Sequence, residues 1–344
     1  MKPVIPEEIT MIMNSASRLL ISKMTTIAAA GLLFMMPFGS AYAETKIRFA
    51  HHISTDSEQH LAAERFRDLV AEYSDGEVVV EIFPAGQMGG QREIIESVEF
   101  GVLEMGYGES GLYANYVPEF GLLTLPYLYR DVDHWENVVE GEIGDQLIEQ
   151  LVTTSGIRPL NWILAGYRDT YLAEGQIDSP DDFNNLKIRV PESPVFVGTF
   201  SSLEAQPTPI PMPEVYTALQ AGVVDAMEGT PEVGYTFRIF EVAESLSKTR
   251  HILFDGSFAI NESFYNNLSD SDREAVNRAA QEAAEMQRSE WFEREQAWFG
   301  KLEEEGIAIN EVDPVPFREA LAGFREEFAA NIGAAELLES IGQQ

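Results

Sequence analysis

The stretch NNLKIRVPESPVF, residues 184–196, decides how this chain is read. Asn184 and Asn185 close a turn, Leu186, Ile188 and Val190 alternate with Lys187 and Arg189, and Pro191 ends the run. That is the pattern of a half-buried strand delivering the chain into a loop. Spacing alone puts Arg189 on the solvated face of the strand, where most arginines sit. Whether it stays there depends on what surrounds the strand.

Outward from this run, strands and helices alternate. KIRFAH (46–51) reads as a strand, followed by a helix from Ser57 to Tyr73 with Ala62, Phe66, Leu69, Val70 and Tyr73 on one face. EVVVEIF (77–83) is a second strand. PAGQMGG (84–90) is a loop, 91–100 a helix and LEMGYG (103–108) a third strand. Together these make a βαβαβ unit, which builds a parallel sheet whose ligands bind beyond the carboxyl ends of the strands. A second alternating block starts near residue 157. IRPLNWIL, KIRVPE and VVDAMEG (223–229) are its strands, with helices over 195–204 and after the proline-rich QPTPIPMP. A long helix is expected from Ser271 to Glu305, with Ser271 and Glu274 as a capping box. Some 35 residues make a rod of roughly 50 Å, long enough to join two domains.

Composition narrows the function. With 344 residues and 45% hydrophobic content the chain supports about two domains. A net charge of −34 argues against nucleic acid as a partner, because phosphate binding needs a basic face. Arg18 and Lys23, the apolar run MTTIAAAGLLFMMPF (24–38) and AYA (41–43) predict an export signal spanning 1–43, cleaved after Ala43. The run is too short, and too interrupted by Pro37, to predict a membrane span. The chain has no cysteine, so disulfides and thiolate chemistry are excluded.

No motif predicts catalysis, a metal or a cofactor. GYGESG (106–111) matches a dinucleotide fingerprint, but Pro118 and the apolar FGLLTLPYLY follow where a phosphate-binding helix should be. The five histidines show no metal-ligand spacing, and Ser110 has no G-x-S-x-G elbow. What remains are polar residues at strand ends. Arg168 follows NWILAGY, and Arg189 ends KIRV. Two guanidiniums beside one cleft in a strongly acidic protein suit a carboxylate, which the arginine fork grips through two parallel hydrogen bonds.

RFAH (48–51) with AAERF (62–66), FPAGQMGG (83–90), VPEFGLLTLPYLYRD (117–131), LKIRVPESPVF (186–196) and PTPIPMPEVYTALQAGVVDAMEG (207–229) resemble, in family order, the DctP solute-binding proteins of TRAP (tripartite ATP-independent periplasmic) transporters. The resemblance implies an α/β, two-lobe, Venus-flytrap fold with the long helix crossing both lobes. It places lobe I at 44–165 plus about 255–294, and lobe II at 166–254 plus about 295–344. It implies that Arg189 pairs with the ligand carboxylate and that Arg168 is a second ligand arginine. GES (108–110) makes Glu109 a candidate for hydroxyl or amine recognition, and His52 falls at a polar ligand contact.

The sequence also departs from the family, which commonly reads VDGQENP where this chain has VDAMEGT (224–230). Glu228 is kept, but a ligand-contacting asparagine becomes Gly229 and a glutamine becomes Met227. The expectation is an enlarged pocket, with Met212 and Tyr235 on its wall. The reading is therefore a periplasmic receptor, not an enzyme, that captures a small organic acid and delivers it to a TRAP permease. A monomer is expected, with a dimer as the alternative. Rival readings are a ligand-binding protein feeding a periplasmic sensor, a C4-dicarboxylate receptor, and a periplasmic enzyme on the same scaffold.

Overall fold

A computed structural model of the chain describes residues 45–344, so the expected export signal lies outside the described residues. β1 (Thr45–Ala50) runs parallel between β2 (Val78–Phe83) and β3 (Met105–Glu109). The crossovers are the helices Glu58–Tyr73 and Gln91–Glu99. Ile47 and Phe49 of β1 pack against Phe66 and Val70, residues that the helical periodicity predicts on the inner face. Ser57 caps the first helix by accepting the His60 backbone N–H at 3.1 Å, and so satisfies one of its free donors.

The second block differs from the expectation in an instructive way. The run IRPLNWIL is two strands, β4 (Ile157–Pro159) and β5 (Ile163–Leu172), and Arg168 lies inside β5 instead of after a strand. β6 (Lys187–Val190) sits parallel between β7 (Gln206–Pro209) and β8 (Ala226–Gly229). Joining the two parallel trios is β9 (Ser245–Asn261), a 17-residue strand that the alternation did not reveal. One half of β9 pairs antiparallel with β3, from Met105↔Ile260 to Glu109↔Gly256. Much of its length pairs antiparallel with β5, from Ile163↔Gly256 to Leu172↔Ser245. The sheet is therefore continuous and mixed, in the order β2-β1-β3-β9-β5-β8-β6-β7, with β10 (Ala308–Glu311) against β9. Ser247, Thr249 and His251 are buried in β9, which broke the apolar pattern that a buried strand normally shows.

The long helix runs over Asp270–Glu304. Its cap is Ser269, which accepts the Asp272 N–H at 3.1 Å, and not the expected Ser271–Glu274 box. Val276, Ala279, Ala280 and Ala283 join the β1–β3 core, while Phe299 and Leu302 join the core around Val215, Leu219 and Met227. One helix is thus built into both hydrophobic cores. The C-terminal helices Ala322–Asn331 and Ala335–Gln343 return to the core around Trp135 and Leu147 through Ala329 and Ile341. His134 Nε2 lies 2.8 Å from the Ile341 carbonyl.

β5 carries register shifts between Leu164 and Gly166 and between Arg168 and Thr170, where it passes from one trio toward the other. Gly166 has φ +108°, and a Cβ there would stand 2.8 Å from Trp291 Nε1 of the long helix. Gly166→Ala is expected to lower the unfolding free energy by about 1–3 kcal/mol, read by urea denaturation, because it adds strain and a clash at the same point.

Candidate functional site

The carboxyl ends of both parallel trios face one cavity, of about 770 Å³ including the part open to solvent. His52 follows β1, Gln91 opens the helix after β2, and Glu109 ends β3. Across from them stand Arg168 of β5, Arg189 of β6, Met212, Thr230 and Phe254 of β9. The rim is bridged by Arg92 and Glu192, 3.5 Å apart, so this is the cleft in a closed arrangement.

Arg189 is only 4% exposed, and along β6 only Lys187 reaches solvent. The solvated-face reading of Arg189 fails because β7 and β8 enclose β6 on both edges and the cavity takes its side chain. Its Nε donates to the Ile210 carbonyl at 2.7 Å, which fixes the plane of the guanidinium. Among the described residues no protein acceptor engages its two Nη atoms. Burial, reinforced by Arg168, lowers its pKa to about 10, which still leaves a full positive charge at neutral pH.

Arg168 is engaged differently. Its Nε and Nη2 grip the Glu228 carboxylate side-on, Nη2 to Oε1 at 2.8 Å, and Nη2 also reaches the Glu228 carbonyl at 3.2 Å. The guanidinium lies over the Phe254 ring at 4.3 Å and the Phe196 ring at 5.1 Å. Burial alone would raise the Glu228 carboxyl, but the charge and hydrogen bonds of Arg168, helped by His251, hold it down to about 2. Glu228 is completely buried and lies behind Arg168, not on the cavity wall.

On the opposite wall the charge is reduced. Burial pushes Glu109 up to about 7, against the pull of Arg168, Gln91 and Arg189. Burial and the charge of Arg189 hold His52 down at about 4, so its ring is neutral at pH 7. Nε2 of His52 stands 3.7 Å from Glu109 Oε1, and its buried Nδ1 has no hydrogen-bond partner among the described residues. At pH 7 the Arg189 charge is offset only in part, by a half-ionised Glu109, and it faces polar groups that can both donate and accept.

The structure thus gathers Arg189, Arg168, Glu109, His52 and Met212 around the cavity, with Glu228 behind. Gly229 and Tyr235 are corrections. A Cβ on Gly229 would meet Met227 Cε at 3.0 Å and Val233 Cγ1 at 3.4 Å, and Gly229 itself does not line the cavity, so the position is taken up by packing and its missing amide leaves no open space. Tyr235 stacks on Phe240 and Trp298 at 5.5 Å and does not line the cavity. Sequence reasoning missed Phe254, because its strand was not seen. It also passed over Gln91 and Thr230, although both stand immediately after quoted motifs.

A family model described as bacterial extracellular solute-binding protein, family 7 (DctP), matches residues 49–331. The chain belongs to this family. DctP proteins are periplasmic receptors that bind small organic acid anions and work with a TRAP permease. The 2,3-diketo-L-gulonate-binding periplasmic protein of Escherichia coli is 31% identical over 88% of this chain and 93% of its own length. A TRAP periplasmic solute-binding protein from Roseobacter denitrificans, solved with bound β-D-glucuronate, is 34% identical, with TM-score 0.82 over 86% of this chain and 98% of that one. Another from Bradyrhizobium, in complex with α/β-D-galacturonate, is 32% identical, with TM-score 0.83 over 87% of this chain and 100% of that one. This DctP protein therefore shares the two-lobe periplasmic-binding fold. No helix among its described residues is long and apolar enough to cross a membrane.

Gly229→Asn is expected to cost about 1–3 kcal/mol of stability, because Met227 must shift and a polar amide is buried among apolar neighbours. The ranking of ligands should be unchanged in a side-by-side thermal-shift screen of mutant and parent.

Proposed function

We propose that this receptor captures a hydroxylated monocarboxylate of the sugar-acid class and presents it to a TRAP permease. The observation that carries this reading is the unequal state of the two arginines. Arg168 is already neutralised by Glu228, whereas among the described residues the Nη atoms of Arg189 meet no protein acceptor. One free guanidinium suits one carboxylate, held through both Nη atoms. A C4-dicarboxylate would need a second free cation, and the far wall offers Glu109 and a neutral His52 instead. Those two groups, with Gln91, can exchange hydrogen bonds with hydroxyls. Diketogulonate, glucuronate and galacturonate, the ligands of the relatives above, each combine one carboxylate with several hydroxyls or carbonyls.

In this reading residues 44–165 with about 255–294 form lobe I, and 166–254 with about 295–344 form lobe II, the last helices crossing back over lobe I. The cavity lies between the lobes, so a ligand touching both walls stabilises the closed form by population shift. Export with cleavage after Ala43 completes the picture, supported by the apolar run 24–38 and the small residues 41–43.

The test is a thermal-shift screen of D-glucuronate, D-galacturonate and related sugar acids beside succinate and malate. Sugar acids are expected to raise the melting temperature more than the dicarboxylates do. A ligand at 100 times its Kd adds about 2.7 kcal/mol. Arg189→Ala should keep its fold and lose at least about tenfold in affinity, the equivalent of one charge-assisted hydrogen bond of roughly 1.5–3 kcal/mol. A dicarboxylate that binds more tightly than every sugar acid, or an alanine variant that binds as the parent does, would overturn the assignment.

A further inference from the structure

The cleft is closed at a second place, away from the Arg92–Glu192 bridge. Gln59, at the start of the helix Glu58–Tyr73 that packs on the β1–β3 core, faces Glu232 in the helix Pro231–Thr236 that follows β8. The Gln59 amide lies 3.1 and 3.2 Å from the two carboxyl oxygens of Glu232: its N–H donates there when Glu232 is ionised, and its oxygen accepts the acid O–H when Glu232 is protonated. Gln59 is 5% exposed and Glu232 2%, and Gln59, Thr230 and Val233 all line the ligand cavity beside them. The contact joins the lobes assigned above.

What distinguishes Glu232 is that, among the described residues, no cation pairs with it directly. From the first helix it meets the Glu58 carboxylate and Gln59, and it accepts the Glu58 backbone N–H, which with the more distant charge of Arg294 favours the ionised form and is outweighed by burial. From the long helix the nearby groups are Arg294, Glu295 and the Trp298 indole. Arg294 is committed elsewhere, to Glu58 Oε2 at 3.1 Å and Glu290 Oε2 at 2.8 Å. Trp298 Nε1 donates to Glu58 Oε1 at 3.1 Å, and Glu295 pairs loosely with Arg250 at 3.6 Å. From β5, the Tyr171 hydroxyl donates to the Thr230 carbonyl. Two buried carboxylates therefore share one already divided arginine, and Glu58 takes its contacts. Such a site favours the neutral acid for the carboxyl left over.

We propose that Gln59 and Glu232 form a latch across the cleft that closes with uptake of one proton by Glu232, which makes ligand capture proton-linked. Burial, with Glu58 adding to it, pushes the Glu232 carboxyl up to about 8 in the closed form. Opening the cleft returns it to water and to the ordinary glutamate value of 4.5. A group whose pKa rises on closure favours the closed form fully below the open value, and that contribution is lost as pH rises through the closed value. Between pH 5.5 and 7.5 the Kd should therefore climb by up to about tenfold per pH unit. A ligand carboxylate, already ionised across this range, adds nothing to the slope. Glu109 titrates in the same window and sets a background, so the variant comparison is the decisive quantity.

The inference rests on the two-lobe receptor reading, and the experiment separates the two. Calorimetry with D-galacturonate at pH 6.5, in two buffers of different ionisation heat, measures protons taken up per ligand bound. The parent protein is expected to take up close to one proton more than Glu232→Gln, with a steeper rise of Kd between pH 5.5 and 7.5. Equal uptake in the two proteins, or none in the parent, overturns the latch. Should Glu232→Gln fail to fold, Glu232→Met fills similar volume without a titratable group and gives the same comparison. If no sugar acid binds, the function reading fails. The latch is then judged without ligand by spin labels at Asp68→Cys and Glu204→Cys, which are unique sites because the chain has no cysteine. A distance distribution that changes between pH 5.5 and 8.5 in the parent but not in Glu232→Gln supports it, and a pH-independent one overturns it.

Discussion

The Arg168–Glu228 pair is the constraint on which the cleft depends. Both groups are buried, on adjacent antiparallel strands, in the register Asp169↔Gly229 and Thr170↔Glu228. Two opposite charges withdrawn from water repay their desolvation only when the geometry is good and every remaining polar site is met. Here the side-on grip, the contact to the Glu228 carbonyl, the two aromatic faces and His251 supply that environment. The pair holds β5 and β8 in register at the floor of the cavity. It also leaves the two arginines in different states, since one is held within the protein and, among the described residues, the Nη atoms of the other meet no protein acceptor.

A protein with a net charge of −34 repels organic anions at long range, so capture has to be local. Within a Debye length of about 8–10 Å, the Arg189 guanidinium in a low-dielectric cleft outweighs a diffuse surface charge that salt screens. The raised value of Glu109, half-ionised near pH 7, limits how far the opposite wall cancels that field, and His52 is neutral there. Charge at one end and hydrogen-bonding groups at the other give an orientation as well as an affinity.

Closure is carried by elements that belong to both cores. β5 and β9 share the sheet of both trios, and the long helix contributes alanines to one core and Phe299 and Leu302 to the other. The bulges of β5 and the glycine at 166 concentrate bending where the strand passes between trios, because a register shift interrupts the ladder there. Arg92–Glu192 and Gln59–Glu232 are contacts across the cleft.

The sequence by itself determined the first βαβαβ unit, the long helix to within a residue or two, and the presence of Arg189 and Glu109 at strand ends. These follow from local periodicity and turn chemistry, which act over a few residues. Only the tertiary structure decided that Arg168 lies within a strand and is held by Glu228, 60 residues away. It alone revealed β9, whose buried serines, threonine and histidine are paid for by partners distant in the chain, such as Thr170 on Thr249 and Glu228 on His251. Gly229 shows the same limit from the other side. A motif comparison aligns it with a ligand contact, but the direction of a side chain depends on strand pleat and neighbours, and here Met227 and Val233 occupy that direction. Burial, charge compensation and side-chain direction are properties of the assembled chain, because each depends on groups brought together only by folding.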